Sequence, residues 1–423
     1  MSARSKPASN APCHYSEVAA RVRACVAPLV CLVLFGVGCA SDEPEPKATG
    51  GTPACEAAVA TASAPPAMCE PLLANAAEVT AVVAPYLPKG APPLRVVIDD
   101  GWQRGWGDWR PNQKFPDGIS GLATTLHNRG LSVGIWLAPL LVLEDSALAK
   151  AHPAWFVKGA AFVHLKMGRM LVLDATHPEA AAHLHETITT IVSWGVDLLK
   201  IDFLFAGLFN GGRHADVTAT ESFNLALSVI RDAAGPDTVL LGVGAPPIPT
   251  LKWVDAWRMG PDIAVENFGA VWAFLPNELR AMGARWPLCR ATLCDPDPPV
   301  LRTLSQDEVD FGAWTVALAG GAWFLSDDLR TLPKTRRTWG HDQGRVDLSL
   351  AGVPAEPESV FMAAPPKQLS NAIFDHLRQE STHVVPAIWR LSDGRRVGFN
   401  VGDTATIVAG VPVPSHAARL LPD

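Results

Sequence analysis

The sequence predicts a (β/α)8 TIM barrel followed by a small C-terminal antiparallel β domain. Between residues 70 and 330, short apolar runs alternate with longer helical patterns, and strands that are apolar throughout are typical of a parallel sheet covered on both faces. Polar residues follow several of these runs. Because a barrel gathers the carboxyl ends of all its strands on one rim, whereas a doubly wound sheet has one switch point, this distribution favours the barrel.

Eight apolar runs are candidates for the barrel strands, and helical patterns separate them. The run at residues 171–173 is short, and an alternative interpretation assigns it to a loop, which moves the first barrel strand upstream to residues 52–62. The clearest helical patterns cover residues 70–83, 178–194, 220–234 and 305–319. The candidate strands are residues 96–98, 133–137, 171–173, 197–201, 239–243, 256–258, 291–293 and 323–325.

A different pattern begins after residue 345. The turn sequence Ser392-Asp393-Gly394 separates two apolar runs, which predicts two antiparallel strands joined by a tight turn. The proline-rich segment 353–366 is interpreted as a linker. Strand-like segments lie at residues 384–391, 396–400, 404–411 and 419–421.

The first forty residues are typical of an export signal. Four basic residues in the first 23 positions precede an apolar run at residues 24–38, which is shorter than the roughly 20 residues of a spanning helix. The sequence GVGC at 36–39 resembles a bacterial lipoprotein cleavage box, so Cys39 is a candidate lipid anchor. The predicted location is the periplasm or outer membrane of a bacterium, or outside the cell. The predicted divisions are an export segment (1–39), a flexible tether (40–68), the barrel (69–335) and the β domain (345–423).

In the oxidising compartment to which export leads, cysteines can form disulfides. Cys55, Cys69, Cys289 and Cys294 follow the export segment. Local pairing joins Cys55 to Cys69 and Cys289 to Cys294, and the sequence leaves the other pairings open.

The composition argues against a nucleic-acid partner. The 423 residues include 18% charged residues and carry a net charge of −7, so no basic face for a polyanion is indicated. The chain has 14 tryptophans and only 2 tyrosines. Indole faces suit the apolar faces of sugar rings, although core packing explains tryptophan equally well. A small or uncharged partner is therefore expected.

Two carboxylates are the candidates for catalysis. Lys200 and Asp202 end an apolar run at positions i and i+2, so both side chains point to the barrel interior. A carboxylate beside an ammonium stays ionised, as a nucleophile must; the alternative is a buried ion pair at the rim. Asp262 follows a later strand, and retaining glycosidases need a second carboxyl group about 5–5.5 Å from the first. The alternative for Asp262 is a helix N-cap.

Several blocks of the chain resemble, in the same order, those of α-galactosidases of glycoside hydrolase families 27 and 36 (clan D, melibiase type). The resemblance covers roughly residues 70–330, with a weaker similarity at 388–400. Each block alone is unspecific, and the specificity lies in their common order. The blocks are residues 97–102, 107–118, 122–130, 134–136, 200–202, 258–262, 295–297 and 320–329.

The resemblance implies an enzyme that hydrolyses terminal α-galactosides by double displacement with retention of configuration, and the N-terminal segment predicts that it is exported. It implies Asp202 as the nucleophile and Asp262 as the acid/base. It also implies that Arg258 orients the sugar and Asp262. The other implied substrate-binding residues are Asp99, Asp100, Trp136 and Lys200.

The chain also departs from the family pattern. Leu204 stands where family 36 commonly has Asn, and residues 242–246 replace a cysteine-containing block. Two alternatives therefore stay open: a non-catalytic carbohydrate-binding surface lipoprotein on a decayed barrel, and a transglycosidase of the raffinose-synthase kind. No cofactor or metal is predicted, because His183 and His185 cannot share a helix face and no complete dinucleotide-binding motif is present.

Overall fold

The computed structural model describes residues 29–34, 68–87, 89, 91, 93–164, 167–263, 271–361 and 385–422. Eight parallel strands of one sheet form the centre of the molecule. In chain order they are β1 (Leu29–Leu34), β2 (Arg95–Ile98), β3 (Ser132–Leu137), β4 (Leu198–Ile201), β5 (Val239–Gly242), β6 (Ala256–Arg258), β7 (Leu293–Asp295) and β8 (Ala322–Leu325).

The sheet has the strand order of a (β/α)8 barrel. Strands β1 to β7 are neighbours in sequence order, and β8 pairs with β1. The outer strands β7 and β8 approach each other closely, since a Cβ on Gly321 would lie 2.8 Å from the backbone of Cys294. All residues of β4, β5 and β8 are buried, as expected for strands covered on both faces. The predicted fold class is confirmed.

Helices cover the outside of the sheet, and the four clearest predictions agree with the structure to within one residue. Two of these helices begin with a capping box, formed by Thr218 with Glu221 and by Ser305 with Glu308, which satisfies the free backbone N–H groups of the first turn. The helices are Cys69–Val83, Gly118–Asn128, Ala147–Ala151, Pro178–Ser193, Ala219–Ala234, Pro247–Thr250, Leu275–Arg285, Gln306–Ala319 and Gln343–Ser349. Within the described residues, no helix is long and apolar enough to cross a membrane.

The run at residues 171–173 lies outside the barrel, as its alternative interpretation predicts. It belongs to a three-stranded antiparallel sheet over the carboxyl rim, made of Leu141–Leu143, Phe156–His164 and Gly168–Leu173. A second rim hairpin pairs Gln103–Gly105 with Asp108–Pro111. The run predicted at 291–293 is shifted to Leu293–Asp295, which places Asp295 inside β7 rather than after it.

The first barrel strand differs from the prediction. Leu29–Leu34, part of the apolar run assigned to the export segment, pairs with both β2 and β8, whereas residues 52–62 lie outside the described residues. The predicted boundary at residue 39 therefore does not separate this run from the barrel sheet. An apolar run of this length suits a fully buried strand as well as a signal sequence, which explains the ambiguity.

The C-terminal domain is a four-stranded antiparallel sheet with a small hairpin, as predicted in outline. The hairpin Thr406–Val408 with Val411–Val413 replaces the single strand predicted at 404–411, because the chain turns at Ala409 and Gly410, both with positive φ. Glu356–Phe361, inside the predicted linker, is an edge strand, a position that tolerates Pro357. The four strands are Glu356–Phe361, Val385–Arg390, Arg396–Asn400 and Ala417–Leu421.

One predicted disulfide can be compared with the structure. Cys289 and Cys294 are bonded to each other, which confirms this local pair and ties β7 to the segment before it. Cys69 is buried in the first helix, and Cys55 lies outside the described residues.

Candidate active site

Asp202 follows β4 at the carboxyl rim of the barrel, and two N–H groups fix its carboxylate. The indole Nε1 of Trp136 donates to Oδ2 at 3.0 Å, and the backbone N–H of Phe203 donates to Oδ1 at 2.6 Å. Pairing of β3 with β4 sets Trp136 opposite Lys200, and the indole reaches the residue two positions further along. Strand register therefore positions both the carboxylate and one of its donors.

Lys200 and Asp99 form a buried ion pair beneath this carboxylate. The ammonium Nζ donates to Asp99 Oδ2 at 2.7 Å, and both side chains are about 95% buried. The positive charge of Lys200 lowers the pKa of Asp202, as predicted. Desolvation and the negative charge of Asp262 raise it more, so the pKa of Asp202 lies at about 6. Asp202 is still mainly ionised at neutral pH.

Asp100 stands beside this pair because the chain turns directly after it. Gly101 has a φ of +101°, a left-handed conformation that glycine adopts without strain. Asp100 Oδ1 accepts hydrogen bonds from Gln103 Nε2 at 2.6 Å and from Trp106 Nε1 at 3.2 Å. Desolvation raises the pKa of Asp100, and these two hydrogen bonds oppose the rise.

Arg258 ends β6 and organises the other half of the site. Its Nε donates to Asp295 at 2.6 Å, its Nη2 lies 2.8 Å from Asp297 Oδ1, and its Nη1 donates to Asp262 at 3.1 Å. The guanidinium side chain is 1% exposed, whereas that of Asp262 is 64% exposed. One buried cation thus contacts three carboxylates, of which Asp262 is the one directed to solvent.

Asp297 and Glu278 are buried carboxyl groups near this cation. Asp297 Oδ2 accepts the backbone N–H of Ile263 at 2.8 Å; desolvation raises its pKa to about 7, against the lowering effect of Arg258. Glu278 is 1% exposed, and its carboxyl leaves no room for a side chain at Gly260. Desolvation raises the pKa of Glu278 well above its usual range, against the lowering effect of Arg258.

The departures from the family pattern lie next to Asp202. Leu204 is fully buried in the turn Leu204–Leu208. Because its side chain is apolar, it offers the pocket no group that could bind a sugar hydroxyl. Gly244, in the block at 242–246, has a φ of +56°, and a Cβ there would lie 3.3 Å from Asp202 Oδ1. The backbone in this chain passes directly beside the carboxylate at that point.

The predicted site residues all lie on one rim, in two linked groups. Asp99, Lys200, Asp202, Asp100 and Trp136 form the first group, in which Trp106 packs on Trp136 with ring centroids 5.2 Å apart. Arg258 and Asp262 form the second group. The charge of Asp262 acts on Asp202, which joins the groups. Their roles in catalysis stay predictions.

Several residues that the structure adds were not singled out as site residues from sequence. Gln103 and Trp106 bind Asp100, while Asp295 and Asp297 bind Arg258. A signal existed for the second pair, because two aspartates at alternate positions end the β7 region. Glu278 gave no signal, since an acidic residue in a helix normally faces solvent.

The histidines weighed for a metal site lie elsewhere. His177 lies near His214 with ring centroids 4.7 Å apart and ring planes tilted by 59°, His183 packs near Trp155, and His185 faces Asp232. Over the described part of the chain, no group of three or more His, Cys, Asp or Glu residues is placed to hold a metal ion.

The fold and site define a class: a (β/α)8 barrel with paired acidic groups on its carboxyl rim and an antiparallel β domain after it. Residues 93–216 match the Melibiase family model. This match confirms the predicted resemblance to α-galactosidase-like glycoside hydrolases and supports the prediction of an enzyme of that class.

Individual proteins agree with this class. The chain is 33% identical over 106 residues to the α-galactosidase AgaA of Geobacillus stearothermophilus, covering 23% of this chain and 14% of that protein. It is 28% identical over 274 residues to α-galactosidase C of Emericella nidulans, covering 56% of this chain and 34% of that protein. The chain thus spans about a third or less of the length of these relatives.

Solved structures extend the similarity over most of the chain. The α-galactosidase TtGalA of Thermus thermophilus, in complex with p-nitrophenyl α-D-galactopyranoside, has a TM-score of 0.58 and 25% identity, covering 90% of this chain and 69% of that one. A family 27 β-L-arabinopyranosidase of Geobacillus stearothermophilus has a TM-score of 0.59 over 95% of this chain and 99% of that one. At 13% identity, this similarity shows only that the two proteins share a fold.

Proposed function

We propose that this chain is a retaining α-glycosidase that hydrolyses terminal α-galactosides. The observation that carries the proposal is the pair Asp202 and Asp262, two carboxyl groups close enough for the charge of one to raise the pKa of the other. Retaining glycosidases use such a pair, one as nucleophile and one as acid and then base. The similarity to α-galactosidases supports galactose as the sugar.

In the proposed mechanism, Asp202 attacks the anomeric carbon while Asp262 donates a proton to the departing glycosidic oxygen. The resulting glycosyl-enzyme is cleaved by a water molecule whose proton returns to Asp262. The N–H groups of Trp136 and Phe203 hold the attacking carboxylate in one orientation, which lowers the entropy cost of reaching the transition state. Arg258 holds Asp262 at the pocket.

The sugar would bind over the Asp99–Lys200 pair and Asp100. Carboxylate oxygens accept hydrogen bonds from sugar hydroxyls, and the ammonium donates one. The wall of the pocket would be the indole of Trp136, whose apolar face suits a sugar ring.

The test is the activity of the purified chain on a panel of aryl α-glycosides, with the anomeric configuration of the first product followed by NMR. We expect turnover of the α-galactoside and release of α-galactose. A β-configured product would contradict retention. Transfer to an added acceptor sugar in preference to water would favour the transglycosidase alternative, and sugar binding without turnover would favour the binding protein.

Export and lipidation at Cys39 form a separate part of the proposal, supported by the basic residues and the apolar run that precede it. Processing before Cys39 would remove Leu29–Leu34, the strand between β2 and β8. Measuring the intact mass of the chain recovered from a bacterial host tests cleavage and lipidation at Cys39, with Cys39→Ser as the control. We expect a lipid-modified chain in the membrane fraction, lost in the control. A soluble chain that starts at Met1 would contradict export.

A further inference from the structure

The loop that carries Asp262 is held from behind by a residue without a role in the proposed reaction. Asp297 accepts the backbone N–H of Ile263 at 2.8 Å through Oδ2, and its Oδ1 lies 2.8 Å from Arg258 Nη2. Arg258 in turn donates to Asp262. Asp297 therefore contacts both the residue after Asp262 and the cation that binds the carboxylate of Asp262.

We propose that Asp297 is a positioning residue, which fixes Asp262 in the orientation needed for proton transfer to the leaving group. This inference rests on the proposed glycosidase function and names a further residue that this function needs. Asp297 touches neither the substrate nor the reacting atoms in this proposal. It acts through Ile263 and Arg258.

Arg258 forms ion pairs with both Asp262 and Asp297, and the solvent exposure of these pairs shows which contact is firm. The side chain of Asp262 is 64% exposed, and an ion pair in contact with water contributes little to orientation because it is screened and mobile. The side chain of Asp297 is 8% exposed and that of Arg258 is 1% exposed. Arg258 is also held by the buried hydrogen bond from its Nε to Asp295 at 2.6 Å, and buried charge-assisted hydrogen bonds are stronger than exposed ones. These buried contacts therefore fix the cation, and Asp297 holds the loop of Asp262 directly through the N–H of Ile263.

The local backbone indicates that Asp297 itself is firmly placed. Its φ is +65°, a left-handed conformation that few residues other than glycine adopt and that aspartate tolerates. Its own N–H donates to Asp295 Oδ1 at 2.9 Å.

The test compares substrates with good and poor leaving groups in an Asp297→Asn variant. Asn keeps an oxygen that can accept the N–H of Ile263, but it cannot present to Arg258 the negative charge that the ionised carboxylate carries. Because only poor leaving groups need protonation, we expect kcat/KM for alkyl α-galactosides to fall about 10-fold or more beyond the fall for dinitrophenyl α-galactoside. A purely structural residue would lower both rates alike.

Asp255→Asn is the matched control. Asp255 also accepts one backbone N–H, from Leu240 at 2.8 Å, and one arginine, Arg231 at 2.6 Å, but it lies at the amino end of β6, away from the rim. We expect it to lower both rates by the same factor. If Asp297→Asn behaves like this control, or like the wild type, the positioning role is refuted.

A measurement on the wild type guards against a variant that does not fold. The amide of Ile263 should be protected from hydrogen exchange, because it donates to a buried carboxylate, and rapid exchange would refute the proposal even without a folded variant. A wild type inactive on every glycoside tested would instead overturn the proposed function. The exchange measurement is independent of that outcome.

Discussion

The two halves of the candidate site are built in different ways. On the side of Asp202, a half-buried carboxylate follows a strand directly and accepts two fixed N–H donors. On the side of Asp262, the carboxylate is 64% exposed, stands in a loop four residues after the strand end, and accepts a hydrogen bond from Arg258. Only the first half is positioned by the sheet itself.

The difference fits the two proposed tasks. A nucleophile needs one fixed direction of attack and a charge that persists at neutral pH. An acid/base group exchanges protons with water in every cycle, so it needs contact with solvent. The cost of that contact is weaker orientation, which the buried Arg258–Asp297 pair compensates from behind.

The largest effect is expected from removing the nucleophile. Asp202→Ala should abolish turnover, because no other carboxylate takes its place, and azide should restore reaction of an aryl α-galactoside to give the β-glycosyl azide. Product NMR checks the configuration. The control is Asp197→Asn, which should retain turnover. Asp197 lies at the amino end of the same strand, and its carboxylate accepts the N–H of Val133. An α-configured azide would contradict double displacement.

The effect of removing Asp262 should depend on the leaving group of the substrate. Asp262→Ala should slow alkyl α-galactosides by about 10²- to 10⁴-fold, the usual contribution of general acid catalysis, and dinitrophenyl α-galactoside far less in the first step. Steady-state and burst kinetics on both substrates separate these cases. Equal losses for the two classes would leave Asp262 as a helix cap or a structural residue.

A smaller effect is expected from the sugar-binding carboxylates. Asp100→Asn should lower kcat/KM for α-galactosides by about 1–3 kcal/mol in transition-state binding, because a sugar hydroxyl would lose a charged acceptor. It should also reduce the preference over α-glucosides. Parallel kinetics on both sugars measure the change, and unaltered selectivity would assign Asp100 to the scaffold held by Gln103 and Trp106.

The sequence was informative where one strand decides the geometry. Lys200 and Asp202 share a face because side chains alternate along a strand, and the structure has them together. Residues 171–173 were ambiguous because a short apolar run fits a loop strand as well as a barrel strand. Leu29–Leu34 was assigned to the export segment because apolar signals and buried strands have the same composition.

The half of the site that contains Asp262 depends on contacts between residues that are distant in sequence. Asp297 reaches Ile263 across 34 residues, and no local pattern encodes such a pair. The burial of Glu278 could not be foreseen either, since it depends on where the helix Leu275–Arg285 packs behind Gly260. The order of family-like blocks located the site, while its supporting contacts required the fold.

The smallest predicted effect tests whether the two halves communicate. The pKa of Asp202 lies at about 6, raised by desolvation and then by the negative charge of Asp262, and lowered by Lys200. Because Asp202 must be ionised to attack, kcat/KM should fall as the pH drops through about 6. Asp262→Asn removes a negative charge, so the pKa of Asp202 should fall and the acid limb should move to lower pH.

Dinitrophenyl α-galactoside is the suitable substrate, since the departure of dinitrophenolate needs no proton. Asp255→Asn is the control, because Asp255 lies at the amino end of β6, away from the rim, and its acid limb should stay in place. An acid limb that stays or rises in Asp262→Asn would contradict the influence of the Asp262 charge on Asp202, the observation that carries the proposed pairing.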